Sequence, residues 1–447
     1  MDGSEGAPDN RGAKRRMRTS GAKGSALGHS ILEKILARAS GSPRVAPGDL
    51  VVADVDTMVL YDSNFFPVYW RDPVRIADPR RIVVAFDHRV PAPDRGCAQA
   101  QMVGRAFVKR FGIERFHDIG YDQGIAHVVV ADKAYALPGS VLVCSDSHTG
   151  SAGAFNCAAR GIGGPDIIYA AITGKTWFRV CETIRYDLIG RLQSGTVAKD
   201  LFLHIAQAYG DHANRNVEFG GPALKDLSLD ARRTLSTMGT ELNAEFSIFE
   251  SDQLLLDYVR ERNRAPFEPQ NPDPDARYAD RRALDLDQIH PLVGLPDAII
   301  GNVVPIGEVA GERIDQAFIG SCANGNLDDL AIAARVVAGR RVATGVRFLV
   351  TPGSQAVYRQ ALKAGYVETL LDAGAVVTNA TCGACGGGHM GVLGAGETCI
   401  TASTRNFKGR MGDPSARIYM GSPATVAASA IAGTIAHPGE FATGHIQ

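Results

Sequence analysis

The 447 residues carry 47 Lys and Arg against 48 Asp and Glu, a formal net charge of -1, with 45% apolar side chains. That length exceeds what one hydrophobic core serves and points to two or three α/β domains. The even charge excludes a global field for nucleic acid or an anionic membrane, so an acidic ligand must meet local positive charge.

No apolar stretch nears the roughly 18 to 20 residues that span a bilayer, and the first residues lack the apolar core of a secretory signal. A cytoplasmic chain with no membrane or nucleic-acid partner is expected, whose eight cysteines stay reduced and serve packing, metal binding or catalysis. Residues 1–24 mix Gly, Ala and Ser with Lys14, Arg15, Arg16 and Arg18 and read as a solvated, disordered tail. From Ser25 the pattern changes. Leu27, Ile31, Leu32, Ile35 and Leu36 recur at helical spacing, and the run stops at Ser40-Gly41.

Beyond that helix, short β-branched runs alternate with helical segments, the syntax of parallel sheets covered by helices. Prolines 266, 269, 272, 274, 291 and 296 mark 262–300 as an extended connection rather than regular structure. The folded part is thus divided into α/β domains at 25–185, 186–300 (with the extended linker 262–300) and 301–447, the last carrying the paired cysteines.

Four strand ends concentrate reactive side chains, and in open α/β sheets ligands sit beyond the carboxyl ends of the strands. The first is Ile82–Phe86 followed by Asp87-His88. The second is Val141–Cys144 followed by Ser145-Asp146-Ser147-His148-Thr149, leading through Gly153-Ala154-Phe155 into a helix-like run to Gly161. The third is Ala317–Gly320 followed by Ser321-Cys322, with helical spacing from Leu327 to Val337 and a stop at Gly339. That placement puts Cys322 near a helix N-terminus, where a thiol ionises more readily. The fourth is Ala375–Ala380 followed by Thr381-Cys382-Gly383-Ala384-Cys385 and three glycines, which allow close backbone approach and offer N–H donors.

A lone Cys-x-x-Cys serves a redox dithiol, a zinc site or an iron-sulfur cluster equally well. With Cys322 as a third thiolate, a four-cornered cluster would keep one iron open to substrate. A closed Cys3His zinc site that adds His389 is the rival, and spacing alone does not separate them. Taken singly, Asp87-His88 reads as a polar strand end, His127 as a hydrogen-bonded histidine in an apolar stretch, and Arg405 and Arg410 as solvated charges. Cys97, Cys144, Cys157, Cys181 and Cys399 lack ligand spacing and read as small packing residues.

Over about 25–447 the sequence resembles the aconitase and 3-isopropylmalate dehydratase large-subunit family. The motifs are Asp87-His88, Gly124–His127, Asp146–Thr149, Gly161-Ile162-Gly163, Lys199-Asp200, Phe318–Cys322, Cys382–Cys385 and Arg405–Arg410. The resemblance implies an α/β fold, a three-domain α/β/α arrangement around a central iron-sulfur cluster. It also implies that Cys322, Cys382 and Cys385 ligate a [4Fe-4S] cluster whose fourth iron is the Lewis acid for a departing hydroxyl. By the same carry-over, Asp87 with His88 protonates that hydroxyl, with His127, Asp146, His148 and Glu241 around the substrate. Ser147, Arg405 and Arg410 bind the substrate, the guanidiniums matching carboxylate oxygens in pairs.

Two positions depart from the family, Thr237 and Thr404, where Asn is usual; a hydroxyl replaces one amide hydrogen bond, not two. The serine base of the family sits on a swivelling domain whose Gly-Ser-Ser-Arg signature is missing from this sequence. A separate small subunit is therefore expected to supply it, and the chain alone is expected to be inactive. The resemblance implies a di- or tricarboxylic acid substrate: isopropylmalate, or another alkylmalate, a phosphono analogue or homoaconitate. An iron-sensing RNA-binding regulator and a zinc-stabilised scaffold are the readings from other classes.

Overall fold

The structure, a computed structural model, describes residues 28–441; the expected N-terminal tail and Leu27 lie outside them. The first helix, Ile31–Ser40, stops at Ser40-Gly41 as its apolar periodicity predicts, but it starts at Ile31 after the Ser30 cap rather than from Leu27. Ser30 and Glu33 form a capping box, Ile31, Leu32, Ile35, Leu36 and Ala39 are buried, and Gly41 ends the helix in the left-handed region. Each of those large aliphatic side chains contributes about 1.5–3 kcal/mol by leaving water.

Strand β1 (Leu50–Asp54) pairs antiparallel with β7 (Lys175–Arg179), and between them lie β2 (Thr57–Tyr61), β3 (Ile82–Ala85), β4 (Arg115–His117), β5 (Val141–Cys144) and β6 (Ala158–Gly161). These five form a parallel sheet in the order β4-β3-β2-β5-β6. A second parallel sheet, β10-β9-β8-β11, uses β8 (Glu182–Ile189), β9 (Arg215–Gly220), β10 (Ser247–Phe249) and β11 (Asp280–Asp285).

The third sheet comprises β12 (Leu292–Gly294), β13 (Val303–Pro305), β14 (Gln316–Ile319), β15 (Arg347–Val350), β16 (Val376–Val377), β17 (Thr398–Thr401) and β18 (Arg417–Met420), ordered β13-β12-β18-β17-β14-β15-β16. It is parallel from β18 to β16, with β12 antiparallel to both of its neighbours. Strands β3, β5 and β14 are buried along their whole length, as expected of parallel strands covered on both faces.

Two segments differ from the sequence reading. The run after Phe155 is not helical: a 3-10 segment, Ser147–Phe155, ends at Asn156, and Ala158–Gly161 joins the sheet beside β5. Small residues such as Ala158 and Ala159 carry no period that separates a strand from a helix. Within 262–300, β11 and β12 are regular strands. Strand β11 reads Asp-Arg-Arg-Ala-Leu-Asp, a charged edge with one buried residue, so it escapes an apolar-run criterion. The second and third sheets accordingly begin at Glu182 and Leu292, ahead of the boundaries drawn from the sequence.

Candidate active site

The carboxyl ends of β2, β3 and β5 meet the turns after β14, β16 and β17 around one cavity of about 400 Å³. Its walls include His88, His127, Asp146, Ser147, His148, all three of Cys322, Cys382 and Cys385, and Arg405 and Arg410. Asp87 and Glu241 stand behind this wall and act on it through their neighbours.

Asp87, 1% exposed, is fixed on both sides. One carboxylate oxygen lies 2.6 Å from His88 Nδ1, and the other accepts the Ala126 N–H at 2.8 Å. Its backbone carbonyl accepts from Thr381 Oγ1 at 2.6 Å and from the Cys382 N–H at 3.3 Å. The cysteine turn of the third sheet is thus tied to the end of β3. His88 faces the cavity; burial opposes its protonation, but Asp87 and Cys382 hold its pKa well above the ordinary imidazole value.

Asp146 gathers the histidines. His127 Nε2 lies 2.8 Å from Asp146 Oδ1, the His148 backbone N–H donates to that oxygen at 2.8 Å, and His88 Nε2 is 3.6 Å from Oδ2. Burial alone would raise the Asp146 pKa, yet the bonds from His127 and His148 hold it well below the usual carboxylate range. Glu241 Oε1 then joins His148 Nε2 at 3.0 Å to Arg405 Nε at 2.7 Å. Against burial, those two partners depress the Glu241 pKa.

Each thiol has a distinct setting. Cys322 occupies a single helical turn, Ser321–Asn324, and the longer helix Leu327–Val337 starts beyond it with its own cap from Asn326 and Asp329. The thiol thus sits near a helix N-terminus, as the spacing suggests, but that of the short turn rather than of the longer helix. Ser321 holds φ 74°, a strained conformation for a non-glycine residue that redirects the chain into the turn. Burial pushes the Cys382 thiol up. Burial also opposes ionisation of Cys385, but Arg410 Nη2 at 3.4 Å, Thr404 Oγ1 at 3.6 Å and nearby His148 bring it down to about 7. Gly383 adopts φ 59°, and a Cβ there would come within 2.6 Å of Thr351 Oγ1. Gly386 faces open space at the cavity wall.

The donor set fits an iron-sulfur cluster better than the closed zinc site. Among the described residues, the group of His, Cys, Asp and Glu whose ligand atoms lie within 4.8 Å of one another is Asp87, His88 and Cys382. The three cysteines with His389 do not form such a group, so no single ion spans them. His389 Nε2 instead pairs with the Pro91 carbonyl at 3.2 Å. Three thiols opening on one cavity, with the buried Arg410 Nε unpartnered beside them, suit a larger inorganic core with a net negative charge. The other five cysteines are buried.

A model of the aconitase family (aconitate hydratase) matches residues 97–310 and 302–433. The chain belongs to the aconitase family. Among similar proteins, the 3-isopropylmalate dehydratase large subunit of Mycolicibacterium smegmatis is 50% identical over 409 residues, covering 92% of this chain and 96% of that protein. A probable 3-isopropylmalate dehydratase large subunit and a probable methanogen homoaconitase large subunit, both of Methanothermobacter thermautotrophicus, are 43% and 42% identical. The alignments cover 92% of this chain in both cases, and 99% and 97% of those proteins. Lyase chemistry and an iron-sulfur site are typical of the aconitase family.

Three residues of this aconitase-family site escaped the sequence reading. Asp62 accepts the His88 and Arg89 N–H groups at 3.2 and 2.9 Å, and burial with repulsion from Asp87 raises it to about 6. It follows the apolar strand β2, the same grammar that flags Asp87, and that signal would have found it. Tyr61 packs its ring 4.7 Å from that of His88. Lys199, quoted only as part of a motif, is fully buried, and its Nζ donates to the Ala402 and Ser403 carbonyls at 3.1 and 2.9 Å. Of the two departures, Thr404 lines the cavity, whereas Thr237 is buried with its hydroxyl unpartnered.

Proposed function

We propose that this chain is the large subunit of a hydro-lyase that moves a hydroxyl group between adjacent carbons of a 2-substituted malate, isopropylmalate foremost, through an alkene. The observation that carries the reading is the convergence of three thiols, an imidazole-carboxylate chain and two guanidiniums on one cavity, in a chain that aligns almost end to end with 3-isopropylmalate dehydratase large subunits. Cys322, Cys382 and Cys385 would hold a [4Fe-4S] cluster, which supplies Lewis acidity toward the departing hydroxyl when bound.

The remaining work falls to the side chains. Arg405 and Arg410 bind substrate carboxylates, with Glu241 fixing the Arg405 guanidinium through Nε and leaving its outer N–H groups for the ligand. His88, aligned by Asp87, delivers the proton to the leaving hydroxyl. Asp146 keeps His127 and His148 oriented, and Ser147 contacts the substrate from the same wall. The base for the carbon-bound proton comes from a serine on a small partner subunit, and the large-subunit names of the relatives support a two-chain enzyme. No helix among the described residues is long and apolar enough to cross a membrane, and reduced thiols suit the cytoplasm.

The test is anaerobic reconstitution with a candidate small subunit, followed by kcat/KM for isopropylmalate, methylmalates and homoaconitate. Isopropylmalate is expected to lead, and the chain alone to be inactive. Preference for homoaconitate would move the assignment to the related acid, in line with the 42% identical relative. Full activity in a protein holding only zinc would overturn the cluster reading.

A further inference from the structure

Asp87, His88 and Cys382 offer a carboxylate, an imidazole and a thiol whose ligand atoms lie within 4.8 Å of one another. We propose that, before a cluster is present, this trio binds a single zinc-like divalent cation, and that the cation and the cluster exclude each other because both need Cys382.

The trio is held in place by groups that are not themselves ligands. The Ala126 N–H occupies the outer oxygen of Asp87, leaving Oδ1 turned toward His88. Thr381 Oγ1 and the Cys382 N–H both bond the Asp87 carbonyl, so the thiol and the carboxylate belong to one rigid corner. Asp87 Oδ1 and His88 Nδ1 lie 2.6 Å apart, closer than two ligands of one tetrahedral ion, so the ring and the carboxylate must part slightly as an ion takes the place of the proton between them.

The ligand chemistry selects the ion. One sulfur, one nitrogen and one oxygen suit a borderline ion with tetrahedral preference such as Zn²⁺, and exclude hard cations such as Mg²⁺ and Ca²⁺. His88 and Cys382 line the cavity, so a fourth position opens to water. On binding, the cation replaces the proton shared by Asp87 Oδ1 and His88 Nδ1 and the thiol proton of Cys382, and both protons leave to solvent.

The ion site rests on this geometry alone; only its competition with the cluster rests on the function proposed above. The experiment is a Co²⁺ titration of the reduced, metal-free full chain, followed by Zn²⁺ displacement and sulfur counting by X-ray absorption on the zinc form. One equivalent is expected, with a thiolate-to-cobalt band that survives Cys322→Ala and Cys385→Ala and is lost in Cys382→Ala and His88→Ala. The unaltered chain should show one sulfur at the zinc, which keeps the test valid if a variant fails to fold. Three sulfurs, a band that persists in Cys382→Ala, or no bound equivalent would each overturn the site. Cluster assembly from iron and sulfide should then be blocked in the zinc-loaded chain and proceed in the metal-free one. Equal assembly in both would overturn the exclusion, whereas no assembly in either would count against the cluster reading and leave the ion site standing.

Discussion

His127 Nε2 and Asp146 Oδ1 lie 2.8 Å apart, deep in the wall of the cavity. Because Asp146 is held ionised by its two histidine neighbours, it accepts, and the imidazole must present its N–H. The same oxygen accepts the His148 backbone N–H, so one carboxylate orients the His127 ring and fixes the turn that carries His148. Asp146→Asn keeps the shape and removes the charge. It is expected to lower kcat by about 10²–10⁴-fold with iron and sulfide content unchanged, as read by steady-state kinetics beside metal analysis.

Arg405 is committed to Glu241 through Nε only, so its outer edge is free to pair with a carboxylate. Lysine supplies a charge without that planar fork. Arg405→Lys should raise KM by about 10-fold or more, with a smaller change in kcat, consistent with loss of binding common to ground and transition states.

The thiols should ionise at different pH values in the metal-free chain. Cys385 lies at about 7, below the ordinary thiol value, through Arg410, Thr404 and His148 acting against burial, whereas burial pushes Cys382 upward. The thiolate is the reactive form, so alkylation of Cys385 should rise as pH passes about 7, while Cys382 stays protected. Arg410→Met should move the Cys385 profile to higher pH, as followed by mass spectrometry of the alkylated peptides.

Much of this architecture was legible in the sequence where an element carries its own signal. The all-apolar run Val141–Cys144 became β5, and Leu327–Val337 became a helix with the bounds its spacing gave. Four strand ends with polar turns were enough to locate the cavity wall. What escaped depends on partners distant in sequence. Strand β11 exists because β8 offers it an edge, and β6 because β5 does. Lys199 looks like any lysine until its Nζ meets the carbonyls of Ala402 and Ser403, about two hundred positions away. Glu241 was reachable only by resemblance, since nothing local marks its contacts with His148 and Arg405.

Lys199 gives a stability prediction whose sign is fixed. Burial lowers its pKa from the ordinary 10.5 to about 8, so between those values the unfolded chain binds more protons than the folded one. Stability from this group is then fully present above the unfolded value and is lost as pH falls through about 8. Relative to Lys199→Met, the unaltered metal-free chain should gain about 2 kcal/mol from pH 8 to pH 10. Urea unfolding of both proteins at the two pH values measures the difference.

The central claim is that three thiols share one cluster in this cavity, and the most direct measurement is iron and acid-labile sulfide per chain after anaerobic reconstitution, in the unaltered protein and in Cys322→Ser. About four of each is predicted for the unaltered chain, with no stable cluster in the variant. Undiminished iron and sulfide in Cys322→Ser would contradict the account, because the cluster would then be held without the thiol that distinguishes this site from a simple Cys-x-x-Cys pair.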